Sequence, residues 1–168
     1  MSEMNAFHPE LILRSLIDHE VRFIVVGGLA AQAHGSPSLT GDLDICYSRD
    51  ATNLHRLAAT LLDLAAIRRG LPADTPKLPP LDARALRAGG LFTLTTSAGD
   101  FDLLADPDPG FDYHTLLTTA VTTTVAGHPV RVASLDALIA MKRAAGRPKD
   151  RIELEILGAL REELDRRD

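Results

Sequence analysis

Asp42 and Asp44 carry the first chemical signal in this sequence. They lie two residues apart in DLDICY, where acidic and apolar residues alternate, the pattern of a strand with one polar face. In extended backbone both carboxylates point to one side, while Leu43 and Ile45 point to the core. Two such charges repel unless protons or a cation neutralise them. A divalent metal with oxygen ligands is the usual remedy, and Mg²⁺ takes one or two carboxylates together with substrate phosphates. A second signal is Gly27-Gly28, directly after the β-branched apolar run VRFIVV and before the helix-prone LAAQA. Missing side chains let a phosphate approach the backbone, and the free N–H groups of a helix start favour an anion. A third is Phe101-Asp102-Leu103, an acid between two apolar residues of a strand. Asp100 shares a strand face with Asp102, but it follows Gly99, where a turn is expected, so Asp102 is preferred. A phosphate cradle, a metal clamp and an acid beside an attacking hydroxyl are the parts of phosphoryl or nucleotidyl transfer.

Each part alone has a plainer reading. Gly-Gly after a strand is commonly an ordinary turn, and Asp-x-Asp can be the solvated face of an edge strand. Their order and spacing give the combination its weight.

The elements that must position these groups can be read in outline. Residues 9–19 open on Pro9 and place Leu13, Leu16 and Ile17 on one side, predicting a first helix. Residues 50–69 predict a second, capped at Asp50 or Thr52, with Leu54, Leu57, Ala58, Leu61, Leu62 and Ala65 as its apolar stripe. Residues 71–80 hold four prolines and read as a loop. A short helix over 82–87 stops at Gly89-Gly90, and strands at 91–97 and 100–104 meet at Ala98-Gly99. A turn at 106–110, a short helix over 113–119 and a hairpin of 121–125 with 129–132 follow. Helices over 134–145 and 150–165 flank a break at 146–149. The prediction is an α/β (α+β) chain with a mixed sheet flanked by helices, in one domain over 1–168, with a core of about 21–133 and a helical segment over 134–168.

Composition narrows the class further. At 168 residues, 45% hydrophobic and 24% charged, the chain is that of a globular domain rather than a disordered one. Its apolar runs, such as Phe23–Val26, are far too short to span a membrane, and the polar start MSEMNAFHPE lacks a signal pattern, so a cytoplasmic location is expected. One cysteine, Cys46, excludes an internal disulfide framework, and a net charge of −5 argues against a general polyanion-binding surface. Aromatic residues at 4% and no Trp weaken a base-stacking platform.

The stretch VVGGLAAQAHGSPSLTGDLDI, followed by GDFDLL and by LIAMKRAAGRPKD, resembles the DNA-polymerase-β-like nucleotidyltransferase superfamily. It is similar in particular to the minimal nucleotidyltransferases, which include the AbiEii-type toxins of bacterial toxin–antitoxin pairs. The likeness covers most of residues 21–155. It implies the polymerase-β-like fold and transfer of a nucleoside monophosphate from a triphosphate such as ATP to an acceptor hydroxyl. It further implies that Gly27 and Gly28 hold the triphosphate, that Asp42 and Asp44 bind two Mg²⁺ ions (or Mn²⁺), and that Asp102 joins one metal and helps activate the acceptor. Lys142 matches the lysine of the family's Met-Lys segment and Asp150 the acid of its Lys-Asp step. Arg147 is a candidate phosphate ligand. The plainer readings are a snorkelling Lys142, an N-terminal capping box of Asp150 with Glu153, and a surface Arg147.

The acceptor implied is tRNA or another RNA, a protein or a small molecule, with an antitoxin as a further partner. A catalytically degenerate nucleotide- or partner-binding module is the alternative from outside the enzymes. One departure stands out: relatives often carry Arg two residues before the threonine of Thr-x-Asp-x-Asp, where this chain has Ser38. His34 reads as a structural hydrogen-bonding residue and Cys46 as a packing residue. Arg68, Arg69, Arg84 and Arg87 flank the proline-rich loop, as contacts for a nucleic-acid acceptor or as dispersed surface charge.

Overall fold

Helix and strand alternate from Pro9 to Thr96 in the computed structural model, which describes residues 6–106 and 110–167. The elements are α1 (Pro9–Asp18), β1 (Phe23–Val26), α2 (Gly27–Ala33), β2 (Asp42–Tyr47), α3 (Ala51–Asp63), β3 (Ile67–Arg68), α4 (Ala83–Ala88), β4 (Leu91–Thr96), β5 (Gly99–Leu104), α5 (Tyr113–Leu117), β6 (Val121–Val125), β7 (His128–Val132), α6 (Leu135–Ala145) and α7 (Arg151–Arg167), with a 3₁₀ turn at Pro148–Asp150. The strands form one seven-stranded sheet in the order β3-β4-β5-β2-β1-β7-β6. The pairs β1/β7 and β2/β5 are parallel and the others antiparallel, so the sheet is mixed, as expected.

The two central strands are built from the most apolar segments. All four residues of β1 are buried, and Leu43, Ile45 and Tyr47 of β2 are fully buried between it and β5. The acids of β2 therefore lie on a central strand rather than on an edge. α1 buries Ile12, Leu13 and Leu16, while Ile17, placed on that stripe by sequence, is exposed. α3 is capped by the Asp50 carboxylate, which accepts from the Asn53 N–H at 2.9 Å.

The helix predicted over 50–69 ends instead at Asp63. Ala65 takes a left-handed conformation (φ 51°) and the Ala66 N–H turns back to the Leu61 carbonyl. The next residues then pair with β4 as β3. No Gly or Pro marks this end in the sequence; pairing with a strand some 27 residues onward outweighs local helix propensity, Ile67 facing Thr95 directly. Leu62, assigned to the apolar stripe, is accordingly 81% exposed, and buried Asn53 and Thr60 share the inner face with Leu54, Leu57 and Leu61. The turn expected at 106–110 lies largely outside the described residues. In the described residues no helix is long and apolar enough to cross a membrane.

Candidate active site

Sheet register places the acids. β2 and β5 run parallel with Asp42 opposite Asp100 and Asp44 opposite Asp102, and on its other side β2 pairs Asp44 with Val26, the residue before Gly27. Carboxylates from two adjacent strands are thus stacked beside the end of a third. Asp42, Asp44 and Asp102 each offer an oxygen, and these atoms lie within 4.8 Å of one another. Asp100, on the same face, accepts from the Thr95 hydroxyl at 3.1 Å and lies outside this trio.

Like charges and burial set the electrostatics. Burial first, then the charges of Asp42 and Asp102, push the Asp44 carboxyl up to about 8. The Asp102 carboxyl is also raised, chiefly by burial, although Arg69 opposes the shift. The Thr40 hydroxyl donates to the Asp42 carboxylate at 3.1 Å. An all-oxygen, anionic donor set of this size suits Mg²⁺ or Mn²⁺. A divalent ion would relieve the strain that raises the Asp44 pKa.

The two glycines make room for this cluster. A Cβ on Gly27 would overlap the Asp44 carboxylate, and one on Gly28 would lie 2.7 Å from Thr40. Gly27 also has φ +69°, a conformation that side chains disfavour. Gly27 is therefore required by the close approach of Asp44 and Gly28 by that of Thr40, and both leave backbone bare for a ligand.

A cleft of about 710 Å³ runs from this cluster to the C-terminal helices. Gly27, Gly28, Asp42, Asp44 and Asp102 line it together with Lys142, Arg147, Lys149 and Asp150. Asp150 is 3% exposed and accepts from Lys142 Nζ at 3.1 Å and from Arg147 Nε at 2.7 Å. Hydrogen bonding from Arg147, supplemented by Lys142, holds its carboxyl below the usual range. The capping box of Asp150 with Glu153 does not form. Asp150 turns inward to the two cations, and Glu153 accepts from the hydroxyls of Ser36 at 3.2 Å and Ser38 at 2.8 Å. Lys142 is not a free snorkelling side chain, since it is tethered to Asp150, and its charge also acts on Asp44.

Other candidates fall outside the cleft or into packing roles. His34 Nε2 bonds the Ala133 carbonyl oxygen at 2.8 Å, a structural link to the end of β7. Cys46 is fully buried, and burial pushes its thiol up to about 12, which makes it unreactive. Arg84 and Arg87 are exposed on α4. Arg68 donates to the Pro79 carbonyl at 2.6 Å. Arg69 belongs neither to the dispersed surface charge nor to an open acceptor face, because its guanidinium donates to Asp102 Oδ1 at 2.9 Å. No local pattern in the sequence links these two residues. Thr40 and Glu153 were likewise missed as partners of the site.

Several solved structures share this architecture. The lincosamide antibiotic adenylyltransferase LnuA, solved with lincomycin bound, matches with a TM-score of 0.59 at 15% identity, over 93% of this chain and 99% of that one. ANT(2'')-Ia in complex with adenylyl-2''-tobramycin matches with a TM-score of 0.53 at 18% identity, over 95% of each chain. A Thermotoga maritima protein assigned to the nucleotidyltransferases matches with a TM-score of 0.54 at 17% identity, over 99% of each chain. At such low identity these likenesses show the fold, that of the nucleotidyltransferases. No family model and no curated protein matches the chain.

Proposed function

We propose that the chain is a metal-dependent nucleotidyltransferase that moves a nucleoside monophosphate from a triphosphate to an acceptor hydroxyl, with release of pyrophosphate. One observation carries the reading: three carboxylates from two parallel strands meet within 4.8 Å beside a glycine turn, in a cleft that Lys142 and Arg147 also line. Asp42, Asp44 and Asp102 would hold the cations, two Mg²⁺ or Mn²⁺. When bound, these supply Lewis acidity that makes the acceptor hydroxyl more acidic and offsets charge on the leaving pyrophosphate.

The chain's own residues do the rest. The bare backbone at Gly27 and Gly28, at the start of α2, receives the phosphates, because the first N–H groups of a helix have no partner within it. Lys142 and Arg147 face the same cleft as cations, and Asp150 holds both in place through its two carboxylate oxygens. Asp102 would join one cation and help activate the acceptor hydroxyl. Ser38 stands where relatives often have arginine and is tied to Glu153, so Lys142, Arg147 and Lys149 supply the positive charge of the cleft.

Two acceptor classes have support of different kinds. The order of motifs resembling AbiEii-type toxins favours RNA, tRNA or a protein, with a neutralising antitoxin as partner. The likeness in span to two antibiotic adenylyltransferases favours a small hydroxylated molecule. Incubation with each labelled nucleoside triphosphate, Mg²⁺ and either total RNA, total protein or a panel of hydroxylated small molecules distinguishes them by which fraction takes label. ATP is the first donor to test. Asp42→Asn and Asp44→Asn should each abolish labelling with folding retained; activity within a few-fold of the parent would defeat the assignment. Binding of triphosphate without pyrophosphate release would instead support the degenerate binding module.

A further inference from the structure

Arg69 is held at several points, and one of its partners is a member of the acidic trio. Its backbone N–H donates to the Thr93 carbonyl at 2.8 Å, and its Nη1 to the Leu94 carbonyl at 2.7 Å. Its Nη2 donates to Asp102 Oδ1 at 2.9 Å, and Nη1 also lies 3.5 Å from Asp100 Oδ2. The side chain is only 31% exposed. A planar guanidinium tied at its stem to one strand and at its fork to the next has little freedom to turn. It engages Oδ1 of Asp102, and that same carboxylate also offers an oxygen within 4.8 Å of oxygens of Asp42 and Asp44.

From this we infer that Arg69 is a positioning residue for the transfer reaction: it sets the orientation of the Asp102 carboxylate at the cation site. The inference rests on the proposed nucleotidyl transfer for its kinetic consequence, but not for its effect on cation binding. Two consequences run in opposite directions. The Arg69 charge sits against the trio and weakens its attraction for a divalent cation. The same contact holds Asp102 where the acceptor hydroxyl must meet it, and so speeds turnover. A residue that merely supported the fold would weaken both functions when removed.

The experiment measures Mn²⁺ alone binding to the full chain, by electron paramagnetic resonance of the free ion, alongside steady-state nucleotidyl transfer. Arg69→Gln should tighten Mn²⁺ binding by about tenfold, since one opposing charge is lost close to the ion. It should lower kcat by about 10- to 100-fold, with the KM for the triphosphate within about twofold of the parent. Arg69→Lys keeps the charge but not the planar fork. It should bind Mn²⁺ like the parent and recover part of the lost kcat. Arg68→Gln removes a neighbouring charge whose guanidinium donates to the loop carbonyl of Pro79, and it should leave both readouts near the parent.

Mn²⁺ affinity equal to or weaker than the parent's in a stably folded Arg69→Gln, or an unchanged kcat, overturns the inference. Should Arg69→Gln not fold, Arg69→Lys decides: a kcat equal to the parent's overturns it, and a reduced kcat at parental Mn²⁺ affinity supports it. If the parent transfers no nucleotide to any acceptor, the proposed function fails. The Mn²⁺ affinities of the two Arg69 variants then still show whether this guanidinium acts on the cation site.

Discussion

Asp44 is the residue at which burial and charge conflict most strongly, and the conflict has a pH signature. Its carboxyl titrates near 3.8 in the unfolded chain and is pushed up to about 8 in the fold. Between those values the folded protein keeps a proton that the unfolded chain has released, so stability falls as pH rises through that range. Thermal unfolding of metal-free protein should show a midpoint that drops from about pH 5 to about pH 8. Asp44→Asn should flatten that slope and unfold at a higher temperature than the parent at the alkaline end. Added Mg²⁺ at the alkaline end should raise the midpoint of the parent, and raise that of Asp44→Asn much less. Asp150 has the opposite sign: its lowered pKa means that its contribution is present at neutral pH and lost as pH falls through the folded value. Asp150→Ala leaves Lys142 and Arg147 without their shared acceptor. It should cost about 2 kcal/mol at neutral pH in denaturant unfolding, with a deficit that shrinks in acid. In the transfer assay it should raise the KM for triphosphate more than it lowers kcat.

At the scale of elements, the β1–α2 junction connects sequence to site most directly. Gly27→Ala places a methyl group where the Asp44 carboxylate lies and forces a side chain into a left-handed backbone. It should destabilise by about 1–2 kcal/mol from the backbone alone. Mn²⁺ affinity should fall with it, because Asp44 must move; Mn²⁺ titration and thermal unfolding together check this. Two-residue periodicity made Asp42 and Asp44 readable as one face, and apolar neighbours singled out Asp102 over Asp100. Local patterning also offered Asp50 or Thr52 as the cap of α3, and Asp50 takes that role. It failed at the end of α3, where propensity carried the helix through Ala65 to Arg69 and tertiary pairing made a strand instead. That failure hid Arg69 as well, since a helical reading of 50–69 offers no strand pairing with β4 that would bring it beside Asp102.

For the molecule as a whole, one hydrophobic cluster extends from Ile12 of α1 through the sheet to Leu138 of α6 and Leu157 of α7. A shared core of this kind predicts that the C-terminal helices unfold with the sheet, as one domain. Far-ultraviolet and near-ultraviolet circular dichroism should give coincident denaturation curves, and Leu157→Ala should shift both together by about 2–5 kcal/mol. Separate transitions would show that the helical segment is an independent unit. The amino-acid sequence by itself determined the class of fold, the acidic pair on one strand face and the glycine turn before a helix, because each depends on periodicity or on neighbours a few residues apart. Only the tertiary structure decided that Asp102 joins that pair, that Arg69 grips it across 33 positions of chain, and that Asp150 gathers Lys142 and Arg147 in the same cleft. Those meetings depend on strand order and parallel register, which are set by how the whole core packs and leave no trace in local spacing.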